Sequence, residues 1–178
     1  MQLVDKKRVL FLLNFIVPFL TGVVILVGCS VHVTFRGASI PDNVRSASVQ
    51  YFDNRAAVVN PLLSQTFTEG LKDRISGESR LNIVDDMGDV DFSGEITGYE
   101  IRPMAIQSDA VAAETRLTLT VRVRYRNFQN PDDNWESTFS AYEDFPSDRN
   151  ITAIEDELVS ALVDQLTENI FNRAFSDW

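Results

Sequence analysis

One cysteine and one histidine among 178 residues leave few parts for nucleophilic or metal chemistry. Zinc sites draw on several Cys or His ligands, and Ser–His or Cys–His catalysis needs an imidazole beside the nucleophile. The single histidine, His32, stands three residues after the single cysteine, Cys29, outside any polar cluster. No phosphate-cradling glycine motif of the G-x-x-x-x-G-K-[ST] or G-x-G-x-x-G kind occurs. Asp85-Asp86 and Asp132-Asp133 supply carboxylate pairs, but both fall in turn-like stretches where Asp serves local hydrogen bonding. Positive charge is also scarce. Sixteen Lys and Arg face 26 Asp and Glu, a net charge of −10, which argues against the basic face that general nucleic-acid binding requires. These absences read as a protein that is not an enzyme and uses no metal and no cofactor.

What is present begins at the N-terminus. Lys6, Lys7 and Arg8 precede a largely apolar stretch from Val9 to Val27, which closes on Leu26-Val27-Gly28-Cys29. Charge, apolar run and a small residue before a cut are the parts of a secretory signal. An uncleaved membrane helix is the competing reading, since about 18 apolar residues can span a bilayer. The last four residues favour the signal: LVGC resembles the lipobox of bacterial lipoproteins, whose cysteine thiol is acylated and becomes the first mature residue. Residues 1–28 are thus expected to be a signal peptide, and 29–45 a tether lipidated at Cys29. Stable anchoring takes two or more acyl chains, and mature lipoproteins carry such a group. Ser30, where an acidic residue would favour inner-membrane retention, points to the outer membrane. Cleavage removes three basic residues and Asp5, leaving 150 residues with a net charge of −12. Such a chain is long enough to bury about 68–70% of its unfolded surface as one domain, here 46–178. Acylation also removes the only thiol, so disulfides are excluded.

Along this domain the pattern predicts a short strand at Ala47–Phe52. A helix should open at Asn60-Pro61, carry Leu63, Phe67, Leu71 and Ile75 on one face, and stop before Gly77. Leu81, Ile83 and Val84 read as a short extension. A long strand spans Asp89 to Arg102. Its apolar parity switches at Thr97-Gly98, as a β-bulge would make it. Thr115–Phe128 alternates strictly, with Leu117, Leu119, Val121, Val123 and Tyr125 on one side, and Trp135–Tyr142 supplies its hairpin partner. The last helix should open with a capping box at Thr152 and Glu155, with Glu155, Asp156 and Glu157 complementing its positive end. Its stripe is Ile154, Leu158, Leu162, Leu166 and Ile170. The predicted order is β–α–β–β–β–α: an α+β two-layer sandwich with a four-stranded sheet packed by two helices.

Two surface features stand out. Arg122, Arg124 and Arg126 line the polar side of the Thr115 strand, with Arg116 farther along. Arginine forks match phosphates and carboxylates, so the stripe is a candidate anion-binding face. Cross-strand carboxylates such as Glu95, Glu100 or Glu136 would instead make it an ordinary paired surface. The aromatic end at Phe171, Phe175 and Trp178 reads as core, or as a docking surface of the kind aromatic anchors build.

The stretches SVQYFDNRAAVVNPLLSQTFTEGLKDRI, GEITGYEIRPMAIQ, RLTLTVRVRYRN, WESTFSAYEDF and EDELVSALVDQLTENIFNRAFSDW resemble the LptE family of lipopolysaccharide-assembly lipoproteins, from about Ser46 to Trp178. The resemblance implies the β–α–β–β–β–α fold and a place in the Gram-negative outer membrane. It also implies a β-barrel partner, LptD, which such lipoproteins plug and help to assemble, and lipopolysaccharide as ligand. On that reading the candidate lipopolysaccharide-binding residues are Arg122, Arg124 and Arg126, facing lipid A phosphates. An accessory lipoprotein of another envelope transport or barrel-assembly complex would share every bulk feature.

Overall fold

The computed structural model describes residues 40–58, 60–104 and 113–176. Cys29, the signal-like segment 1–28 and Trp178 lie outside them. The described residues all belong to one compact unit, which begins at Arg36. Its elements in chain order are β1 (Ser46–Val49), β2 (Asp53–Asn54), α1 (Leu63–Glu78), β3 (Asn82–Ile83), β4 (Val90–Pro103), β5 (Glu114–Asn127), β6 (Trp135–Pro146) and α2 (Ile151–Phe175). The sheet runs β3-β1-β4-β5-β6, and β2 also pairs with β4. Pairs β1–β3, β1–β4 and β2–β4 are parallel, while β4–β5 and β5–β6 are antiparallel.

The fold is the expected α+β sandwich, but the sheet has six strands, not four. The extra two, β2 and β3, are two residues long, too short to show any period in sequence. The predicted strand over 47–52 is interrupted for a related reason. β1 and β2 lie along the same edge of β4, but three residues, Gln50 to Phe52, bridge Val49 and Asp53 where β4 has only Ser93 and Gly94. One extra residue makes a bulge. The Phe52 N–H, turned from the ladder, donates to Thr68 Oγ1 in α1 at 3.1 Å, and Thr68 donates onward to the Ser64 carbonyl. The fully buried Phe52 ring meets Phe67 of α1 edge to face at 4.9 Å.

β5 holds the sheet together. Leu117, Leu119, Val121, Val123 and Tyr125 are buried against the helices, as their alternation predicts. β4 matches them with Val90, Phe92 and Ile96. Thr97 is then the extra residue: the register passes from Ile96↔Val121 to Gly98↔Thr120, so the expected bulge is present. It keeps Tyr99 on the core side. Gly94 sits opposite Val123, where an added Cβ would collide with the Arg122 carbonyl and lie 2.7 Å from the Phe52 ring. Phe52 occupies the space a side chain here would need.

Both helices bury the expected stripes except at Leu158 of α2, which is half-buried while its neighbour Val159 is buried. Leu63, Phe67, Leu71 and Ile75 of α1 are fully buried, as are Leu162, Leu166 and Ile170 of α2. Phe171 and Phe175 are core, and Phe175 meets Phe92 at 5.9 Å and Tyr125 at 6.1 Å. The helix ends differ from expectation. α1 begins two residues after Pro61, because Asn60 Oδ1 takes the Leu62 N–H in a turn. It also runs through Gly77 and stops at Ser79, whose N–H and hydroxyl both bond the Ile75 carbonyl. α2 is capped by Asn150, whose Oδ1 accepts the Thr152 N–H at 3.0 Å, and not by a Thr152–Glu155 box. Glu155 lies a turn too deep to cap and is used elsewhere. Ile40 and Val44 pack on the same core, and Arg80 holds the Ile40 carbonyl and Asp42. No helix among the described residues is long and apolar enough to cross a membrane.

Candidate interaction surfaces

The helices cover one face of the sheet, so the even-numbered residues of β5 line the other. That face is a cross-strand grid. Arg124 lies between Ser93 and Glu136, Arg122 between Glu95 and Thr138, and Arg116 between Arg102 and Asp144. Its charges nearly balance, with Asp91, Glu95, Glu100, Glu114, Glu136 and Asp144 against Arg102, Arg116, Arg122, Arg124 and Arg126. The negative excess lies partly on the helices, whose eight acidic residues outnumber three basic ones.

The structure brings the arginine stripe together on this face and gives most of it partners. Arg122 meets Glu95 and Arg124 meets Glu136, each at 3.1 Å. These four residues, with Ser93 and Gly94, line a shallow hollow of about 280 Å³. Arg116 forks onto both oxygens of Asp144 at 2.7 Å and lies 3.6 Å over the Tyr142 ring. The same fork holds the Asp144 carboxyl below its ordinary range. Arg126 differs. Its cross-strand neighbour Asp91 is nearly buried and accepts from Ser48 at 2.7 Å and Gln50 at 2.8 Å. Among the described residues Arg126 forms no ion pair. A phosphate arriving here finds Arg126 open, but must displace Glu95 or Glu136 to engage Arg122 or Arg124. Glu100, also expected as a stripe partner, pairs with Arg102 at 2.6 Å.

Sequence reasoning missed a polar lock on the core side. Tyr99 of β4 donates its hydroxyl to Glu155 Oε1 at 2.6 Å, and Asn60 donates to the same oxygen at 2.9 Å. Burial, then the Glu155 carboxylate, push the Tyr99 phenol well above its ordinary value. Three residues far apart in sequence thus tie β4, the α1 entrance and α2 at one point. Between the helices runs an acidic groove of about 990 Å³, where Arg74 bridges Glu78 of its own helix and Asp164 of the other. The helices approach closely there: a Cβ on Gly70 would lie 2.7 Å from Val163.

Among the described residues no group of three His, Cys, Asp or Glu side chains could hold a metal ion. This α+β domain presents a nearly neutral polar sheet face, an acidic helix layer and two sheet edges. A family model for lipopolysaccharide assembly, LptE, matches residues 44–174, and the chain belongs to that family. Its general role is therefore lipopolysaccharide assembly. No curated protein sequence matches the chain. A hypothetical protein, CT253 from Chlamydia trachomatis, is similar in structure, with a TM-score of 0.54, 12% identity, and 73% of this chain and 95% of that one covered. A minor lipoprotein from Acinetobacter baumannii gives a TM-score of 0.49 at 15% identity, covering 74% and 92%. Rare lipoprotein B from Shewanella oneidensis gives 0.42 at 16%, covering 72% and 92%.

Proposed function

We propose that this chain is an outer-membrane lipoprotein, released from a signal peptide at 1–28 and acylated on Cys29, which plugs an LptD-type β-barrel. In that place it helps the barrel assemble and pass lipopolysaccharide into the outer leaflet. The observation that carries the reading is the family match across 44–174, nearly the whole described domain. The fold supports it. A lipid-tethered domain with a large polar sheet face suits the aqueous lumen of a barrel better than contact with the hydrocarbon around it. The arginine stripe is part of the same proposal: Arg126 first, then Arg122 and Arg124, would meet the phosphates of lipid A through charge-assisted hydrogen bonds.

The test is purification of the full-length lipoprotein from its own membranes in mild detergent. A stoichiometric large β-barrel protein should accompany it, and depletion should reduce surface lipopolysaccharide. Recovery with the parts of a different envelope machine, and unchanged surface lipopolysaccharide, would overturn the reading in favour of an accessory lipoprotein. Mass analysis of the mature N-terminal peptide should find an acylated Cys29.

A further inference from the structure

The two edges of the sheet are unlike each other. At one, β3 is two residues long. At the other, β6 runs twelve residues without a break in register against β5. Natural proteins blunt such edges with charge, proline or bulges. From Ser137 to Tyr142 β6 has none: six neutral residues, STFSAY, in continuous extended pairing.

The backbone polarity of this edge follows from the ladder. Asn127 N–H points toward β6, donating to Asn134 Oδ1, and Ser147 N–H donates to the Ala113 carbonyl. Phe128 N–H points the opposite way, to Asp89. Backbone groups alternate sides along a strand, so odd residues of β5 bond to β6 and even ones to β4. On β6 the odd residues are therefore used. Glu136, Thr138, Ser140, Tyr142 and Asp144 turn their N–H and C=O groups outward, and among the described residues nothing pairs with them. On the helix side of this edge, Trp135 and Phe139 are only half-buried, so apolar surface borders the unpaired backbone.

We propose that this edge receives an extended segment of the barrel partner, which adds a seventh strand beside β6. The inference rests on the function proposed above. The incoming strand would place an apolar side chain against Trp135 and Phe139, and neutral or basic ones beside Thr138 and Ser140. Main-chain hydrogen bonds would supply the affinity, as in other strand additions. Charge favours such a partner over a second copy. Two mature chains, each of net charge −12, would meet edge to edge. A two-fold pairing centred on Ser140 would set Glu136 against Asp144 of the other copy, and like charges directly opposite are destabilising.

Hydrogen exchange at single-residue resolution tests this on the intact lipoprotein, alone and in its detergent-solubilised complex with the barrel. Thr138, Ser140 and Tyr142 amides should exchange at least about tenfold more slowly in the complex. Ser137, Phe139 and Ala141, already bonded to β5, should be protected in both and act as the internal reference. A complex that forms with those even-numbered amides still exchanging freely overturns the strand addition and leaves the plug reading standing. Failure of any barrel complex to form overturns both. Slow exchange at the same amides in the barrel-free lipoprotein, with a doubled mass, makes the occupant a second copy and overturns the assignment to the barrel.

Discussion

The Tyr99 hydroxyl reaches Glu155 at 2.6 Å, fastening the bulged half of β4 to the second turn of α2. A hydrogen bond to a charged, half-buried acceptor contributes more than a neutral one. Tyr99→Phe should lower stability by about 1–2 kcal/mol, read from urea midpoints. The loss stays moderate because Asn60 still donates to the same oxygen. The raised phenol also fixes a sign. Its folded pKa lies above the unfolded value of 10.0, so its contribution is complete below pH 10 and drains as pH rises beyond it. The wild type should lose stability between pH 10 and 11 more steeply than Tyr99→Phe; parallel curves would remove Tyr99 as the cause.

Asp89 gives the opposite pH dependence. Its carboxylate accepts the Arg45 and Ser46 amides, the Ser46 hydroxyl and the Gln129 side chain. These donors, the Arg45 amide foremost, lower its pKa from 3.8 to about 2. The stabilisation is present above pH 3.8 and is lost as pH falls through about 2. Urea midpoints for the wild type should fall across that window, while Asp89→Asn, already lacking the carboxylate, should show a shallower decline.

Two glycines should respond in opposite directions. At Gly94 a methyl group meets the Arg122 carbonyl and the Phe52 ring, so Gly94→Ala should cost at least about 1–3 kcal/mol through overpacking. At Gly77, inside α1, a Cβ meets nothing within 4 Å. Gly77→Ala should raise stability by about 0.5–1 kcal/mol, through helix propensity and a less flexible unfolded chain. Thermal melts of the two single variants decide it; equal shifts would contradict the packing described.

The arginine stripe separates binding from stability. Arg122→Glu with Arg124→Glu should weaken binding to lipopolysaccharide dispersed in detergent, measured by titration. Folding should survive, because exposed ion pairs are worth about 0–1 kcal/mol each. Arg126→Glu alone should weaken binding with less effect on stability, since it breaks no ion pair among the described residues. Undiminished binding in both variants would leave the stripe a paired sheet surface.

Much of this architecture was legible in the residues. The alternation of β5, the parity switch at Thr97-Gly98 and the four-residue recurrence of α1 are local periodicities, and packing kept them. β2 and β3 were not legible, because a two-residue strand has no period. Nor was the true cap of α2. Thr152 and Glu155 match a capping box by spacing, but Asn150 lies nearer the first free amides and Tyr99 offers Glu155 a better partner.

By itself the sequence determined the fold class, the buried faces and the poverty in catalytic and metal-binding groups, which follow from composition and periodicity acting along the chain. The family rests on the likeness of whole stretches of sequence, from 44 to 174. Only the tertiary structure decided which carboxylate each arginine meets, where Glu155 goes, and which edge of the sheet remains open. Those are distances between residues far apart in sequence. The registers of β4, β5 and β6 and the two bulges set them, through the rule that one residue more or less turns every later side chain to the other face.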